Sequence, residues 1–171
     1  DEGQSNQWSV VAVDAAGNPV TLSWDWGDGS SVDSGLDLSS PSHVYADDGS
    51  YTITLVGSDQ HGGSASSSFA VSVQNIAPTF TATPPELATE GIGYSALLSS
   101  TDPGADPPVY TTLQAPAGTL YHAPTASLVW HPTLAQVLAG PALFDVQVDD
   151  GDGGTDTLSW SVVASWADVD L

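Results

Sequence analysis

Ser23-Trp24-Asp25-Trp26-Gly27-Asp28-Gly29-Ser30 decides the fold, together with Ser42-His43-Val44-Tyr45 and Gly49-Ser50-Tyr51-Thr52-Ile53-Thr54-Leu55-Val56. Trp24 and Trp26 stand two apart, so in an extended strand they share one face and Asp25 takes the other. Gly27-Asp28-Gly29 then supplies the residues of a sharp turn. An aromatic pair, His43 and Tyr45, follows. The run from Tyr51 alternates polar and apolar residues, the pattern of a half-buried strand.

Outward from this stretch, strand signals dominate and helical periodicity is nearly absent. Candidate strands cover 7–13, 20–26, 43–45, 51–58 and 65–73, and a second set covers 79–83, 93–98, 109–114, 128–130, 142–148 and 155–163. The best helical run, 133–138, is short. Turns carry Ala16-Gly17-Asn18-Pro19, Asp47-Asp48-Gly49, Gln60-His61-Gly62-Gly63 and Asp150-Gly151-Asp152-Gly153-Gly154, all suited to turn dihedrals. Many short strands between such turns mark an all-β sandwich.

The two strand sets repeat one pattern. Glu2-Gly3 answers to Glu90-Gly91, Asp14 to Asp102, Asp59 to Asp150 and Phe69 to Trp160, at nearly constant spacing. The chain therefore reads as two tandem domains, 1–75 and 76–165, joined through Gln74-Asn75-Ile76-Ala77-Pro78, with 166–171 as a C-terminal linker or donor strand.

The motif of the first half resembles the PKD domain, an Ig-like module whose signature runs W-D-F-G-D-G, H-x-Y, then G-x-Y-T-V-x-L. Trp26 stands at the usual Phe. Residues 77–164 resemble bacterial Ig-type and dystroglycan-type cadherin-like domains through Ala115-Pro116-Ala117-Gly118, Val129-Trp130-His131-Pro132-Thr133 and 146–154; Ser127 stands where Gly often precedes the Trp strand. The resemblance implies two tandem Ig-like β-sandwiches, PKD-like then cadherin-like, of an extracellular surface protein. It also implies that Trp130 is core and that His43 and Tyr45 are structural. Trp24 is expected in the core. Trp26 is expected against a sheet edge, the alternative being an exposed sugar platform.

Charge bounds the partners. The chain of 171 residues has 21 acidic side chains, no Lys or Arg, and a formal charge of -21. Nucleic acid and anionic lipid would repel it. Metal ions or concentrated salt are the counter-charges left. With no Cys, no disulfide holds the fold. No signal peptide, transmembrane span or lipidation motif is expected. No Ser-His-Asp set, phosphate loop or paired acid on rigid elements stands out, so no enzymatic role is expected.

Ig-like topology places the carboxylates. Glu2, Asp28, Asp47 and Asp48 fall at one end of the first domain, and Asp14 and Asp59 at the other. Asp102 and Asp150 fall at the end of the second domain that a tandem array turns toward the first, and Glu90 at its far end. The expected metal set is Glu2, Asp28, Asp47, Asp48, Asn75, Asp102 and Asp150, with Glu90, Asp168 and Asp170 meeting Asp14 and Asp59 of a following domain of the first type; the alternative is a local ion held by Asp150, Asp152 and Asp156 within their own turn. Oxygen-only ligands suit Ca²⁺, which takes six to eight of them; the four His are too scattered for zinc. The layout resembles cadherins at Glu2, Asn75, Asp102 and Asp150, although Gln74 and Ile76 replace the acidic residues that usually flank that Asn. For any single Asp, turn chemistry is the competing explanation.

The first domain begins almost at Glu-Gly and so lacks most of its first strand, whereas 166–171 runs past the last strand of the second. One reading is a cut through a longer array. The other is head-to-tail polymerisation, Trp166, Val169 and Leu171 adding a strand to the open edge of the next copy. The functional expectation is a secreted, extracellular structural or adhesive protein with Ca²⁺-stiffened joints, its partners being copies of itself, further repeats or glycans. The alternatives are an accessory binding or spacer module of a secreted hydrolase, and a passive spacer in a halophile surface protein.

Overall fold

Alternation along the central strands puts Leu22, Trp24, Ile53 and Leu55 on one face, and in the computed structural model, which describes residues 1–167, that face is buried. The chain divides into two units, one comprising Asp1–Ile76 with Pro103–Ala105, the other Ala77–Asp102 with the described residues from Asp106 onward.

In the first unit β1 (Ser5–Gln7) pairs antiparallel with β4 (Ser42–Val44). The other sheet is antiparallel, in the order β3 (Asp33–Leu36), β2 (Thr21–Asp25), β5 (Gly49–Ser58), β6 (Ser64–Val73). Its core gathers Leu22, Trp24, Trp26, Tyr45, Ile53, Leu55 and Val73. The strand expected over 7–13 is regular only in its first part. Beyond Gln7, isolated bonds from Trp8 N–H to the Pro41 carbonyl and from Val10 N–H to the Ser39 carbonyl carry it along. Pro41 has no N–H to return, which ends the ladder there.

The second unit holds β7 (Thr79–Phe80), β8 (Leu87–Thr89), β9 (Tyr94–Leu97), β10 (Ser100–Thr101), β11 (Val109–Gln114), β12 (Leu120–His122), β13 (Ser127–Trp130), β14 (Ala142–Asp149) and β15 (Thr155–Ser165). Three sheets run β10-β7, β12-β13-β9 and β11-β14-β15-β8. The single expected first strand is split in two. β7 pairs antiparallel with β10, and β8 pairs parallel with β15. Pro84 and Pro85 force the break, since neither offers an N–H to a ladder, and the Tyr94 hydroxyl fixes the crossing by donating to the Pro85 carbonyl at 2.7 Å. Trp130, Tyr94 and Phe144 centre the core, and Phe144 stacks on Trp160 at 4.9 Å. The short helical run becomes α1 (Leu134–Ala139), whose Thr133 N–H is capped by Gln136 Oε1 at 2.9 Å.

The repeat is visible in matching backbone bonds. Glu2 N–H donates to the Gln74 carbonyl and Glu90 N–H to that of Ser165; Gly3 N–H donates to Tyr45 and Gly91 N–H to Pro132; Val10 N–H donates to Ser39 and Leu98 N–H to Ala126. Asp59 Oδ1 and Asp150 Oδ1 also close the same kind of turn, each accepting two backbone N–H groups. One register thus serves both units.

Trp24 is 1% exposed and Val11 89% exposed. Trp24→Ala is therefore expected to lower unfolding stability by about 3–5 kcal/mol in urea titrations, and Val11→Ala to stay within about 0.5 kcal/mol.

Candidate functional site

Five rings build the floor of the site. Trp24 stacks on Trp26 (5.5 Å), Trp26 on His43 (4.5 Å, 2° between planes), His43 meets Tyr45 edge-on (4.8 Å), and Tyr45 stacks on Tyr51 (4.3 Å). Contacts of this kind add about 0.5–1.5 kcal/mol each beyond burial. Trp26 is buried against the edge strand β3, its Nε1–H on Asp33 Oδ2 at 2.9 Å, so it is not an exposed sugar platform. Gly27 turns the chain at φ +79°, and a Cβ there would run into the Thr52 carbonyl oxygen.

The ring column positions acidic groups. His43 Nε2 lies 2.7 Å from Asp28 Oδ2, and Ser30 N–H donates to Asp28 Oδ1. Burial works against the Asp28 charge, but the Ser30 hydroxyl and backbone, then His43, outweigh it and hold its pKa below the ordinary value. The Tyr51 hydroxyl donates to the carbonyls of Asp47 (2.9 Å) and Asp48 (3.1 Å), pinning the turn that carries both carboxylates. Burial first, and then Asp47, Asp28, Asp48 and Glu2, push the Tyr51 phenol up, so all four carboxylates act on one hydroxyl.

Glu2 completes the group. It is fully buried; Oε1 accepts the Ile76 N–H at 2.7 Å, and Oε2 has no hydrogen-bond partner. Carboxylate oxygens of Glu2, Asp47 and Asp48 lie within 4.8 Å of one another. Three carboxylates at that spacing repel one another, and the chain has no Lys or Arg to offset them. A hard divalent cation fits this donor set, the buried Oε2 being the oxygen that lacks any other use.

The remaining expected ligands are placed as follows. Asp28 is engaged by His43 and Ser30. Asp14 Oδ1 accepts the Ala16 and Asn18 N–H groups and the Asn18 side chain, and Asp59 Oδ1 those of His61 and Gly63. The Asn18 backbone bond leads in lowering the Asp14 pKa. Asp150 is buried and closes its own turn, while Asn75, Asp102 and Glu90 are half-buried. Trp166 is exposed. Asp168, Val169, Asp170 and Leu171 lie outside the described residues. Sequence reasoning missed Tyr51 as the clamp of the Asp47–Asp48 turn and the Ile76 N–H as a partner of Glu2. The first had a signal, since Tyr51 sits just past that turn; the second is a backbone group and leaves none.

Tyr45 yields a pH prediction. Burial first, then Asp28 and Tyr51, push its phenol up to about 12, and its hydroxyl donates to the Trp26 carbonyl. A phenol raised by folding stabilises the fold below its unfolded value and loses that contribution as pH climbs through the folded one. Unfolding stability is expected to fall from pH 10.0 to about 12, and Tyr45→Phe to flatten that fall in alkaline denaturation curves.

No curated protein matches the chain. Solved structures similar to it include the fibronectin(III)-like modules of Clostridium thermocellum CbhA (17% identity, 96% of this chain and 87% of that one, TM-score 0.39). Others are an endo-fucoidan hydrolase of glycoside hydrolase family 107 (18%, 89% and 24%, TM-score 0.45) and protocadherin gammaB7 EC3-6 (12%, 96% and 52%, TM-score 0.44). The chain thus spans about a quarter of the hydrolase and about half of the protocadherin. Among the described residues no helix is long and apolar enough to cross a membrane. The PKD domain model matches residues 1–73 and the bacterial Ig domain model residues 75–163. Domains of both kinds are typically binding or spacer modules of extracellular surface proteins. The chain belongs to the bacterial Ig domain family, with a PKD domain ahead of its Ig domain.

Proposed function

We propose that this chain is an extracellular adhesive or spacer protein that Ca²⁺ stiffens and that assembles head to tail, the segment holding Trp166, Val169 and Leu171 adding a strand to the next copy. The buried Oε2 of Glu2 carries the calcium reading: it has no hydrogen-bond partner and sits beside Asp47 and Asp48 in a chain without Lys or Arg. The same Glu2 holds the Ile76 N–H through Oε1. A cation on this carboxylate would therefore fix the segment by which the chain leaves its first domain. The role is mechanical: bound ions convert mutual repulsion into a tie.

Melting in chelator, Ca²⁺ and matched NaCl tests the calcium reading. Ca²⁺ at about a hundred times its Kd is expected to add about 2.7 kcal/mol, read as a rise in melting temperature that NaCl of equal ionic strength does not give. Glu2→Gln is expected to raise the melting temperature in chelator, by removing repulsion, and to abolish most of the Ca²⁺ increment. A melt that follows ionic strength alone would make the protein a passive acidic spacer.

A further inference from the structure

Asp-Gly dipeptides stand in turns at Asp28-Gly29, Asp48-Gly49, Asp150-Gly151 and Asp152-Gly153. Glycine has no Cβ to shield its nitrogen, which can therefore reach the carboxyl carbon of the aspartate before it. Turn bonds restrain that carboxyl in two of these pairs. Asp28 Oδ1 accepts the Ser30 N–H and Oδ2 lies 2.7 Å from His43 Nε2, and Asp150 Oδ1 accepts the N–H groups of Asp152 and Gly154. Asp152 is exposed.

Asp48 has a different setting. Its carboxylate belongs to the cluster with Glu2 and Asp47. Its main-chain carbonyl accepts the Tyr51 hydroxyl at 3.1 Å. When the Gly49 amide loses its proton, negative charge spreads onto that carbonyl oxygen, where the hydroxyl already points. A donor aimed at charge as it develops lowers the barrier to forming it. Gly49 sits at φ +132°, which L side chains rarely adopt, so the turn keeps its glycine and with it the reactive pair.

We infer that Asp48-Gly49 is a self-modification site, at which the chain converts Asp48 to isoaspartate once no cation holds its carboxylate. The Gly49 nitrogen gives its proton to solvent and attacks Asp48 Cγ. A C–N bond forms, and one carboxyl oxygen takes up protons and leaves as water, which closes a cyclic imide. Water then opens the ring. Attack at Cγ restores aspartate. Attack at the main-chain carbonyl leaves the chain running through Cβ, with a free carboxylate on Cα. No oxidant or second substrate takes part. The product turns the carbonyl that Tyr51 holds into that carboxylate, and the extra backbone methylene shifts it from Glu2 and Asp47, so the change disables the site for good. This inference rests on the calcium reading above, which stands on the buried Glu2 Oε2 without a hydrogen-bond partner. A carboxylate held on an ion does not turn toward the Gly49 nitrogen.

Labelling in heavy-oxygen water tests it, because each opening of the imide leaves one solvent oxygen in the peptide. The whole chain is held warm at neutral pH in chelator or in Ca²⁺, digested with pepsin and read by mass spectrometry, with isoaspartyl methyltransferase to count isoaspartate. In chelator, Asp48 is expected to label faster than Asp28, Asp150 or Asp152. Ca²⁺ at about a hundred times its Kd is expected to slow Asp48 about a hundred-fold, since only ion-free molecules react. Tyr51→Phe keeps the ring and removes the hydroxyl. It is expected to slow labelling in chelator about ten-fold, the effect of one hydrogen bond to a developing charge. A turn merely loosened by the loss of its clamp would label faster, and that result would refute the role given to the hydroxyl. Labelling led by the exposed Asp152 would overturn the site. Equal labelling of Asp48 with and without Ca²⁺, while calorimetry still shows binding, would overturn the cation's control and leave the calcium reading standing. Equal labelling with no binding would overturn both.

Discussion

Ring stacking from Trp24 through Trp26, His43 and Tyr45 to Tyr51 is the interaction on which the first domain depends. It joins β2, β4 and β5, strands from both sheets, through side chains alone. It also delivers the acidic groups. His43 holds Asp28, and Tyr51 holds the backbone of Asp47 and Asp48. With no disulfide and no Lys or Arg, aromatic packing is what fixes the spacing of carboxylates that repel one another. Such a column stiffens one end of a sandwich while leaving the charge there unbalanced, which is the condition a hard cation relieves.

The two domains share one register of backbone bonds and differ in the strands around it. The second contains its own first strand, bent at Pro84-Pro85 so that β7 and β8 serve different sheets. In the first, Val11 and Val13 stand where the second has the polar Ser99 and Thr101, beside an open groove above Leu22.

Much of this was legible in the residues. The Trp-x-Trp spacing, the Gly-Asp-Gly turn and the alternation after Tyr51 gave the sheet of the first domain, because each is a local consequence of strand geometry. The pairing of Glu2 with Glu90 and of Asp59 with Asp150 found the repeat, which recurs as matching hydrogen bonds. What stayed hidden is set by tertiary contact. β3 (Asp33–Leu36) has no alternation to announce it and exists because β2 pairs with it. Strand position alone left Trp26 open between packing at a sheet edge and standing exposed; the ring of His43 covers it and Asp33 of the edge strand takes its N–H. Of the carboxylates, topology brought out Glu2, Asp47 and Asp48 together. It could not show that Asp28 is taken by His43, or that Asp14 and Asp59 spend their oxygens on their own turns.

Calorimetric titration of Ca²⁺ into chelator-treated protein tests the central claim most directly, with Glu2→Gln protein as the reference. Saturable, stoichiometric binding that persists in excess NaCl and is lost or greatly weakened in Glu2→Gln is the predicted result. Heats that match those of Mg²⁺ and Na⁺ at equal ionic strength, and that are unchanged in Glu2→Gln, would contradict the claim that these carboxylates converge to hold a cation.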